Sequence, residues 1–200
     1  MNNKILKLLR EFAPFEYETE TIKDGPNTGK VMMKGILQKA ETLNQNGRIY
    51  PKPILEREIR NYQKFIEESR ALGELDHPDS SVVELKNASH IIRRAWMEGN
   101  TVFGEVEILS TPSGKILQSL IESGVTLGIS SRGVGSTKPD GERQIVQDDF
   151  QLICWDFVSE PSTPGAFMMR EGREISPREI KELFNKTDRI DRLFNEILTW

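Results

Sequence analysis

Two histidines and a pair of adjacent serines are the residues of this chain that could carry out acyl transfer. Histidine is the usual general base near neutral pH, and the sequence contains His77 and His90 only. A serine hydroxyl becomes a nucleophile when a base lies beside it, and Ser130 and Ser131 are neighbours in a glycine-rich run. The residue types therefore allow nucleophilic catalysis if one histidine meets one of these serines.

His77 is the stronger candidate for the base. It lies in a polar segment, residues 73–79, immediately before a proline, which indicates a strand end or loop of the kind that commonly carries catalytic groups. The plainer interpretation of His77 alone is a surface histidine. His90 opens an apolar strand, and there we favour a structural histidine that is hydrogen-bonded to a neighbour.

The residues that follow the serines could stabilise an oxyanion. Backbone N–H groups at Arg132 and Gly133, or the guanidinium of Arg132, are donors of the required kind. Small residues in this run would also let the backbone approach a substrate closely. The plainer interpretation of the run is a glycine-rich strand edge with a bulge.

A hairpin signal favours one serine over the other. The sequence Lys-Pro-Asp-Gly-Glu at 138–142 predicts a three-residue hairpin loop, with a return strand over residues 143–158. In that register Ser131 lies opposite Asp149, at ~5 Å, whereas Ser130 has no acid opposite it. A bulge of one residue would shift this pairing. The register therefore predicts Ser131 as nucleophile and Asp149 as its acidic neighbour.

Other carboxylates compete for the role of third catalytic residue. Two are close to Asp149 in sequence, and three surround His77, where they could orient its ring: Asp148, Asp156, Glu74, Asp76 and Asp79. Most carboxylates are solvated surface groups, so no single one of them is selected by sequence alone.

The periodicity of apolar residues predicts the elements that must position these groups. It indicates a short amphipathic helix near the N-terminus, strands over 31–37, 88–109 (two strands around a turn at 98–100) and 125–135, and helices from Pro53, over 112–123 and from Ser176. The order of elements predicts the α+β class, a mainly antiparallel sheet or small barrel flanked by helices. We expect a body over residues 1–175 and an amphipathic helix over 176–200 that packs, oligomerises or is removed.

Composition narrows the possible partners. The net charge of −4 argues against nucleic acid as the main partner. Arg93, Arg94 and Trp96 are the only residues that favour nucleic-acid binding. No stretch has the length of a membrane span, and no Cys/His cluster has zinc spacing, so we expect neither membrane nor metal or other cofactor. The single cysteine, Cys154, lies in an apolar run and is predicted to be a core residue in a reducing cytosol.

Several short segments, in order, resemble the prohead core proteases of tailed bacteriophages. They span about residues 30–170 and comprise NQNGRIYP at 44–51, GELDHP at 73–78, SHI at 89–91, GEVEIL at 104–109, GISSRG at 128–133, WDFV at 155–158 and PSTPGA at 161–166. The resemblance implies a fold shared with the herpesvirus assemblins, a small and mostly antiparallel β-barrel surrounded by helices. It also implies a Ser–His pair with a third polar residue, the base lying in the Asp-His-Pro segment at His77.

The resemblance also bears on the nucleophile. In related families the serine is followed by any residue and then glycine, a pattern that Ser131 fits and Ser130 does not. The third member is a histidine after the serine in the herpesvirus enzymes, and none follows here. We therefore prefer Asp149, with His90 or Asp148 as substitutes.

The implied function is a serine endopeptidase of capsid maturation. Its substrates would be scaffold and major capsid proteins inside the prohead core, in the host cytoplasm, with possible self-association. Members of such families often cut after Glu with an aliphatic residue two positions earlier, so self-cleavage near Glu182 would release the last helix. The alternative is a non-catalytic scaffold or assembly protein of the same fold, for which the terminal helix is a docking element.

Overall fold

The computed structural model describes residues 7–13, 18–21, 30–78, 80–125 and 127–159, and the statements below refer to these residues. They contain two α-helices, α1 (Lys52–Glu67) and α2 (Pro112–Glu122). The strands are β1 (Lys7–Ala13), β2 (Glu18–Thr21), β3 (Val31–Lys39), β4 (Arg48–Ile49), β5 (Leu72–Glu74), β6 (Ala88–Glu98), β7 (Thr101–Ile108), β8 (Gly128–Gly135), β9 (Thr137–Asp140), β10 (Arg143–Val146) and β11 (Gln151–Val158).

The strands form three sheets. A five-stranded sheet has the order β2-β3-β7-β6-β5, and two three-stranded sheets have the orders β1-β8-β11 and β4-β10-β9. All neighbours are antiparallel except β4 and β10, which are parallel. This confirms the α+β class with mainly antiparallel strands. The predicted barrel was wrong in one respect, because the described strands form separate sheets and no closed barrel.

The helices follow from their sequences. In α1 the residues Ile54, Leu55, Ile59 and Tyr62 recur at helical spacing and are buried, so the helix covers the core with one face. Helix α2 begins after Thr111, whose side-chain oxygen accepts a hydrogen bond from the Gly114 amide at 3.1 Å. The predicted helices from Pro53 and over 112–123 are thereby confirmed, as is the hairpin of β6 and β7.

The core joins the five-stranded sheet to the β1-β8-β11 sheet. It includes Met33 of β3, Val106 of β7, Ile129 of β8 and Phe157 of β11, all buried. Strand β5 connects the two sheets directly, because it pairs with β6 and its next residue, Leu75, forms a parallel bridge with Phe157. This bridge places the segment after β5 on the surface of the β1-β8-β11 sheet.

The amphipathic helix predicted near the N-terminus is wrong. Residues Lys7–Ala13 form β1, which pairs antiparallel with β8 and buries Leu9 opposite Gly133. An isolated helix of this length is marginal in water, whereas pairing with β8 satisfies the backbone and buries Leu9. Tertiary pairing therefore overrides the local pattern.

The predicted hairpin register is wrong as well. The loop contains two residues, Gly141 and Glu142, so Asp140 pairs with Arg143. The return strand is broken between β10 and β11, and the partner strand is broken at Ser136. Strands β9 and β10 therefore join β4 in a sheet of their own, and the register of the hairpin does not continue into β8 and β11.

A polar corner explains the break. The amide and hydroxyl of Ser136 both donate to Asp149, at 2.9 Å to its Oδ1, and the Gln147 amide donates to the Ser136 carbonyl at 3.0 Å. These bonds change the direction of the two strands of the hairpin at the same point, between β8 and β9 and between β10 and β11.

The predicted helix over 176–200, the boundary at 175 and the cleavage site near Glu182 lie outside the described residues. Among the described helices, none has the length and apolar character to cross a membrane.

Candidate active site

His77 reaches the site through an unusually close approach of two strands. A side chain at Gly73 of β5 would lie less than 3.0 Å from the Trp155 carbonyl oxygen and from the His90 ring, so only glycine lets β5 run against β11. Asp76 then adopts a left-handed conformation with φ of 63° and donates its amide to the Phe157 carbonyl at 2.8 Å. This turn directs His77 across the face of β8 and β11.

His77 contacts a serine and an aspartate at the same time. Its Nδ1 lies 2.8 Å from Oδ2 of Asp156, and its Nε2 is hydrogen-bonded to Oγ of Ser130. Ser130 and Asp156 are direct partners in the register of β8 and β11, so their side chains share one face of the sheet. Ser130 and Asp156 are buried, while 16% of the His77 side chain is exposed.

The environment of Asp156 keeps its carboxylate ionised. Burial alone would raise the pKa of Asp156, but the hydrogen bond from His77 and the charge of Arg132 outweigh it, and the pKa lies below its ordinary value. An ionised carboxylate accepts a hydrogen bond from Nδ1–H, which leaves the Nε2 lone pair to accept a hydrogen bond from the Ser130 hydroxyl. The hydrogen-bonding partners therefore select the tautomer of His77 that can act as a base toward Ser130.

Arg132 does not occupy the predicted oxyanion site. Its guanidinium is fully buried and donates to Asp156, to Glu74, to the sulfur of Cys154 and, at 2.8 Å, to the Ser80 carbonyl. All of its nitrogen atoms are engaged behind the site. The structure thus does not support the predicted role of this guanidinium.

The backbone amides of Arg132 and Gly133 lie in a central strand. Both residues are in the middle of β8, with register partners in β1 on one side and in β11 on the other. A central strand uses its amides in the two ladders. This pairing argues against an oxyanion hole at these two amides, which stays a prediction, and Gly133 provides space for the Phe150 ring, which a side chain would meet at less than 3.0 Å.

Ser131 lies on the opposite face of β8 from the site. Its register partner is Trp155, and its buried hydroxyl has no hydrogen-bond partner among the described residues. Asp149, which was predicted to face Ser131, instead accepts hydrogen bonds from Ser136, and the carbonyl oxygen of Asp148 accepts one from Arg57. Ser131, Asp149 and Asp148 are thus not brought to His77, because the register that selected them does not exist.

His90 is a structural residue. The Ser89 hydroxyl donates to its Nδ1 at 2.9 Å, and its Nε2–H donates to the Trp155 carbonyl at 2.9 Å. Burial lowers the pKa of His90 to about 4, so the ring is neutral at physiological pH. It links β6 to β11 beneath the site, which confirms the structural interpretation and argues against His90 as a third catalytic residue.

Sequence reasoning named Asp156 among the possible acids but did not select it. A stronger signal was available, since Asp156 is the only charged residue in the apolar sequence of β11, QLICWDFV. An acid in a strand that is buried must have a partner. That argument singles out Asp156 without any knowledge of the register.

Two further predictions concern partners. Arg93 pairs with Glu107 at 2.6 Å and Arg94 with Glu105 at 3.0 Å, and Arg94 lies over the Trp96 ring. An ordinary surface strand pair therefore accounts for the three residues that could favour nucleic acid.

Cys154 is buried, as predicted, and its burial and the nearby Asp156 charge raise the pKa of its thiol.

The arrangement of hydroxyl, imidazole and carboxylate is the one by which serine hydrolases activate a nucleophile. Comparisons with known proteins agree with that class. The sequence pattern of the family described as prohead core protein serine protease matches residues 13–182. The chain belongs to this family.

A similar protein and a similar solved structure both come from bacteriophage T4. The prohead core protein protease of Enterobacteria phage T4 is 35% identical over 167 residues, which cover 80% of this chain and 76% of the relative. The solved structure of the bacteriophage T4 capsid assembly protease matches with a TM-score of 0.74 and 31% identity, covering 78% of this chain and 99% of that one. The first is named as a prohead core protein protease and the second as a capsid assembly protease, as the resemblance implied.

Proposed function

We propose that this chain is a serine endopeptidase in which Ser130 is the nucleophile, His77 the general base and Asp156 the acid that orients it. The observation that carries the proposal is that the two ring nitrogens of His77 contact Ser130 and Asp156 at once. This geometry satisfies the requirement that a base touch the nucleophile while a third group holds the base.

The chemistry follows from these contacts. His77 Nε2 takes the proton of Ser130 as Oγ attacks the scissile carbonyl, and a C–O bond forms while the carbonyl π bond breaks and its electron pair moves to the oxygen. Asp156 stabilises the imidazolium through Nδ1–H. The imidazolium then gives its proton to the leaving amine as the C–N bond breaks, and a water molecule hydrolyses the acyl-enzyme with His77 again as base.

The proposed substrates are scaffold and major capsid proteins of the immature particle. The family description and the T4 relatives, which are named as proteases of the prohead core and of capsid assembly, support this choice. The corresponding location is the interior of the prohead in the host cytoplasm. A fold shared with the herpesvirus assemblins remains a prediction.

Five variants test the site on purified prohead scaffold protein, with cleavage followed by mass spectrometry. Ser130→Ala, His77→Ala and Asp156→Asn should lose activity, by about 10⁴-fold for the change at Asp156 if it sets the tautomer of the base. Ser131→Ala and Asp149→Asn are the matched controls and should keep it. Activity in Ser130→Ala together with loss in Ser131→Ala would overturn the assignment.

A labelling experiment separates the peptidase from a non-catalytic assembly protein. A fluorophosphonate probe phosphonylates an activated serine, an O–P bond forming as the P–F bond breaks and fluoride leaves, so it should label the wild-type chain and Ser131→Ala but not Ser130→Ala. Absence of both labelling and scaffold cleavage in the wild-type chain would favour the assembly protein.

The sequence Leu-Ile-Glu at 120–122 has a Glu with an aliphatic residue two positions earlier, the pattern that such proteases often cut. We also propose that self-cleavage spares this sequence. These residues form the end of α2, and a helical segment must unfold before it can enter a protease cleft in extended form. Intact mass after incubation should therefore show no cut after Glu122. A fragment ending at Glu122 in the wild-type chain, and absent in Ser130→Ala, would contradict this.

A further inference from the structure

Asp156 belongs to a group of buried charges whose other members, Arg132 and Glu74, take no part in the proposed reaction. Glu74 from β5, Arg132 from β8 and Asp156 from β11 are all inaccessible to solvent. Arg132 Nε lies 2.9 Å from Oδ2 of Asp156, its Nη2 lies 3.1 Å from Oδ1, and Nη2 is also paired with Glu74. One guanidinium therefore links two carboxylates from two other strands.

Such a cluster is a poor choice for stability alone. Removing an arginine and a glutamate from water is costly, and apolar residues of similar volume often replace a buried ion pair without loss of stability. The contacts of this pair indicate a role other than stability, since they hold the Asp156 carboxylate and the segment that carries His77.

We infer that Arg132 and Glu74 are positioning residues that fix the Asp156 carboxylate and the His77 segment relative to each other; this inference rests on the proposed function. Two nitrogens of Arg132 contact the two carboxylate oxygens, one of which is the oxygen that contacts His77. The Glu74 amide donates to the other oxygen at 3.0 Å. The plane of the carboxylate is thereby set from two sides.

The same pair holds His77 from both ends of its segment. Glu74 precedes His77 by three residues, and Ser80, which follows by three, accepts a hydrogen bond from Nη1 of Arg132 at 2.8 Å. Farther along, the Glu84 amide donates to Oε1 of Glu74 at 3.0 Å. The residues before and after His77 are therefore hydrogen-bonded to, or part of, one buried ion pair.

Charge gives this arrangement a signature. Removing the positive charge of Arg132 leaves two carboxylates together, so protonation of the His77–Asp156 pair becomes easier. Replacing Glu74 by glutamine removes a negative charge and makes that protonation harder. The titratable and charged groups that face Asp156 are Arg132, Glu74, His77, Cys154, Tyr62 and His90.

The experiment compares Arg132→Met, Arg132→Lys and Glu74→Gln in the full chain, with Arg94→Met as control. Arg94 forms an exposed ion pair with Glu105 on β6 and β7, remote in sequence from these contacts. Cleavage of purified scaffold protein is measured as kcat and KM over pH 5 to 9, after circular dichroism has verified folding. A fluorophosphonate probe reports the reactivity of Ser130 separately.

We expect kcat to fall by about 100-fold in Arg132→Met with little change in KM, because a displacement of about 1 Å in a catalytic group costs that much. Arg132→Lys should recover part of the loss, since it keeps the charge but not the two-pronged contact. Arg94→Met should stay within about two-fold of wild type. The acidic limb of the kcat/KM profile should move to higher pH in Arg132→Met and to lower pH in Glu74→Gln, by about half a unit or more.

A purely structural ion pair would give a different result. Equal kcat in Arg132→Met and Arg94→Met, or loss of kcat with unmoved acidic limbs in both variants, overturns the inference. If Arg132→Met does not fold, the test rests on Glu74→Gln. A wild-type kcat together with an unmoved acidic limb of the kcat/KM profile in that variant overturns the inference. Cleavage by Ser130→Ala would instead refute the proposed function itself.

Discussion

Replacing Gly73 by alanine should disturb the site from a position that touches none of its reacting atoms. The new methyl group would lie less than 3.0 Å from the Trp155 carbonyl oxygen and from Nε2 and Cε1 of His90. Neither neighbour can yield easily. One is backbone of β11, and the other is a buried ring that is hydrogen-bonded at both nitrogens and packs edge-on against Phe157 at 4.8 Å.

The expected cost can be built from these contacts. Ordinary carbon contacts lie at about 3.5–4.0 Å, so β5 must move away from β11 by at least about 1 Å. Overpacking of this kind costs about 1–3 kcal/mol, and weakening the hydrogen bond between His90 and Trp155 adds about 1 kcal/mol. We therefore expect the free energy of unfolding to fall by about 2–4 kcal/mol.

Activity should fall further than stability alone explains. The same movement stretches the 3.0 Å bond from the Glu74 amide to Asp156 and the 2.8 Å bond from Asp76 to Phe157. His77 follows this segment, so a shift of about 1 Å should reduce kcat/KM by about 100-fold. The assay is urea unfolding together with scaffold cleavage at a temperature where the variant is folded.

Gly99→Ala is the control for the loss of a glycine. Gly99 lies in the β6–β7 turn with φ of 60° and has open space around its Cβ position, so alanine there should cost about 1 kcal/mol of backbone strain and no activity. The reasoning is refuted if Gly73→Ala unfolds at the wild-type urea concentration and cleaves at the wild-type rate.

Three further outcomes follow from single residues. Because burial lowers the pKa of His90 to about 4 from 6.5, the unfolded chain binds the proton first, so stability should decline by up to about 3 kcal/mol as the pH falls from about 6.5 to about 4; urea unfolding at both pH values, with His90→Gln lacking this component, measures it. Asp76 has a φ of 63°, so the free energy of unfolding of Asp76→Gly should lie within about 0.5 kcal/mol of wild type and that of Asp76→Ala about 1 kcal/mol below it. Equal stability of the two variants would argue against the left-handed turn. Glu58 is buried and accepts a hydrogen bond from the Leu152 amide at 2.8 Å beside the β11 bulge, so Glu58→Ala should cost about 1–3 kcal/mol. The same change at the half-buried Glu56, whose carboxylate forms a long ion pair with Lys52, should cost under about 0.5 kcal/mol; a similar effect at both positions in thermal unfolding would contradict the contact.

Much of the secondary structure could be predicted because local patterns determine it. The helix from Pro53 has four buried apolar residues at helical spacing, and the turn at Gly99 joins two alternating strands. His77 was found in the same way, as a histidine in a polar segment before proline. These features depend on neighbours within a few positions, which the sequence displays directly.

The choice between Ser130 and Ser131 could not be made from such patterns. Side chains alternate between the faces of a strand, so an error of one residue in register exchanges the two hydroxyls. The register was set by contacts distant in sequence, namely the Ser136–Asp149 corner that ends the hairpin and the bulge between Leu152 and Cys154. The predicted continuous hairpin lacked both.

The sequence by itself therefore determined the class of elements, the family resemblance and the histidine that we propose as the base. Only the tertiary structure decided that Asp156 rather than Asp149 meets His77, and that Arg132 lies buried behind the site instead of facing a substrate. The physical reason is that these partners come from β5, β8 and β11, strands whose alignment depends on packing across two sheets. Distances of this kind are settled when the whole core forms, and no local pattern encodes them.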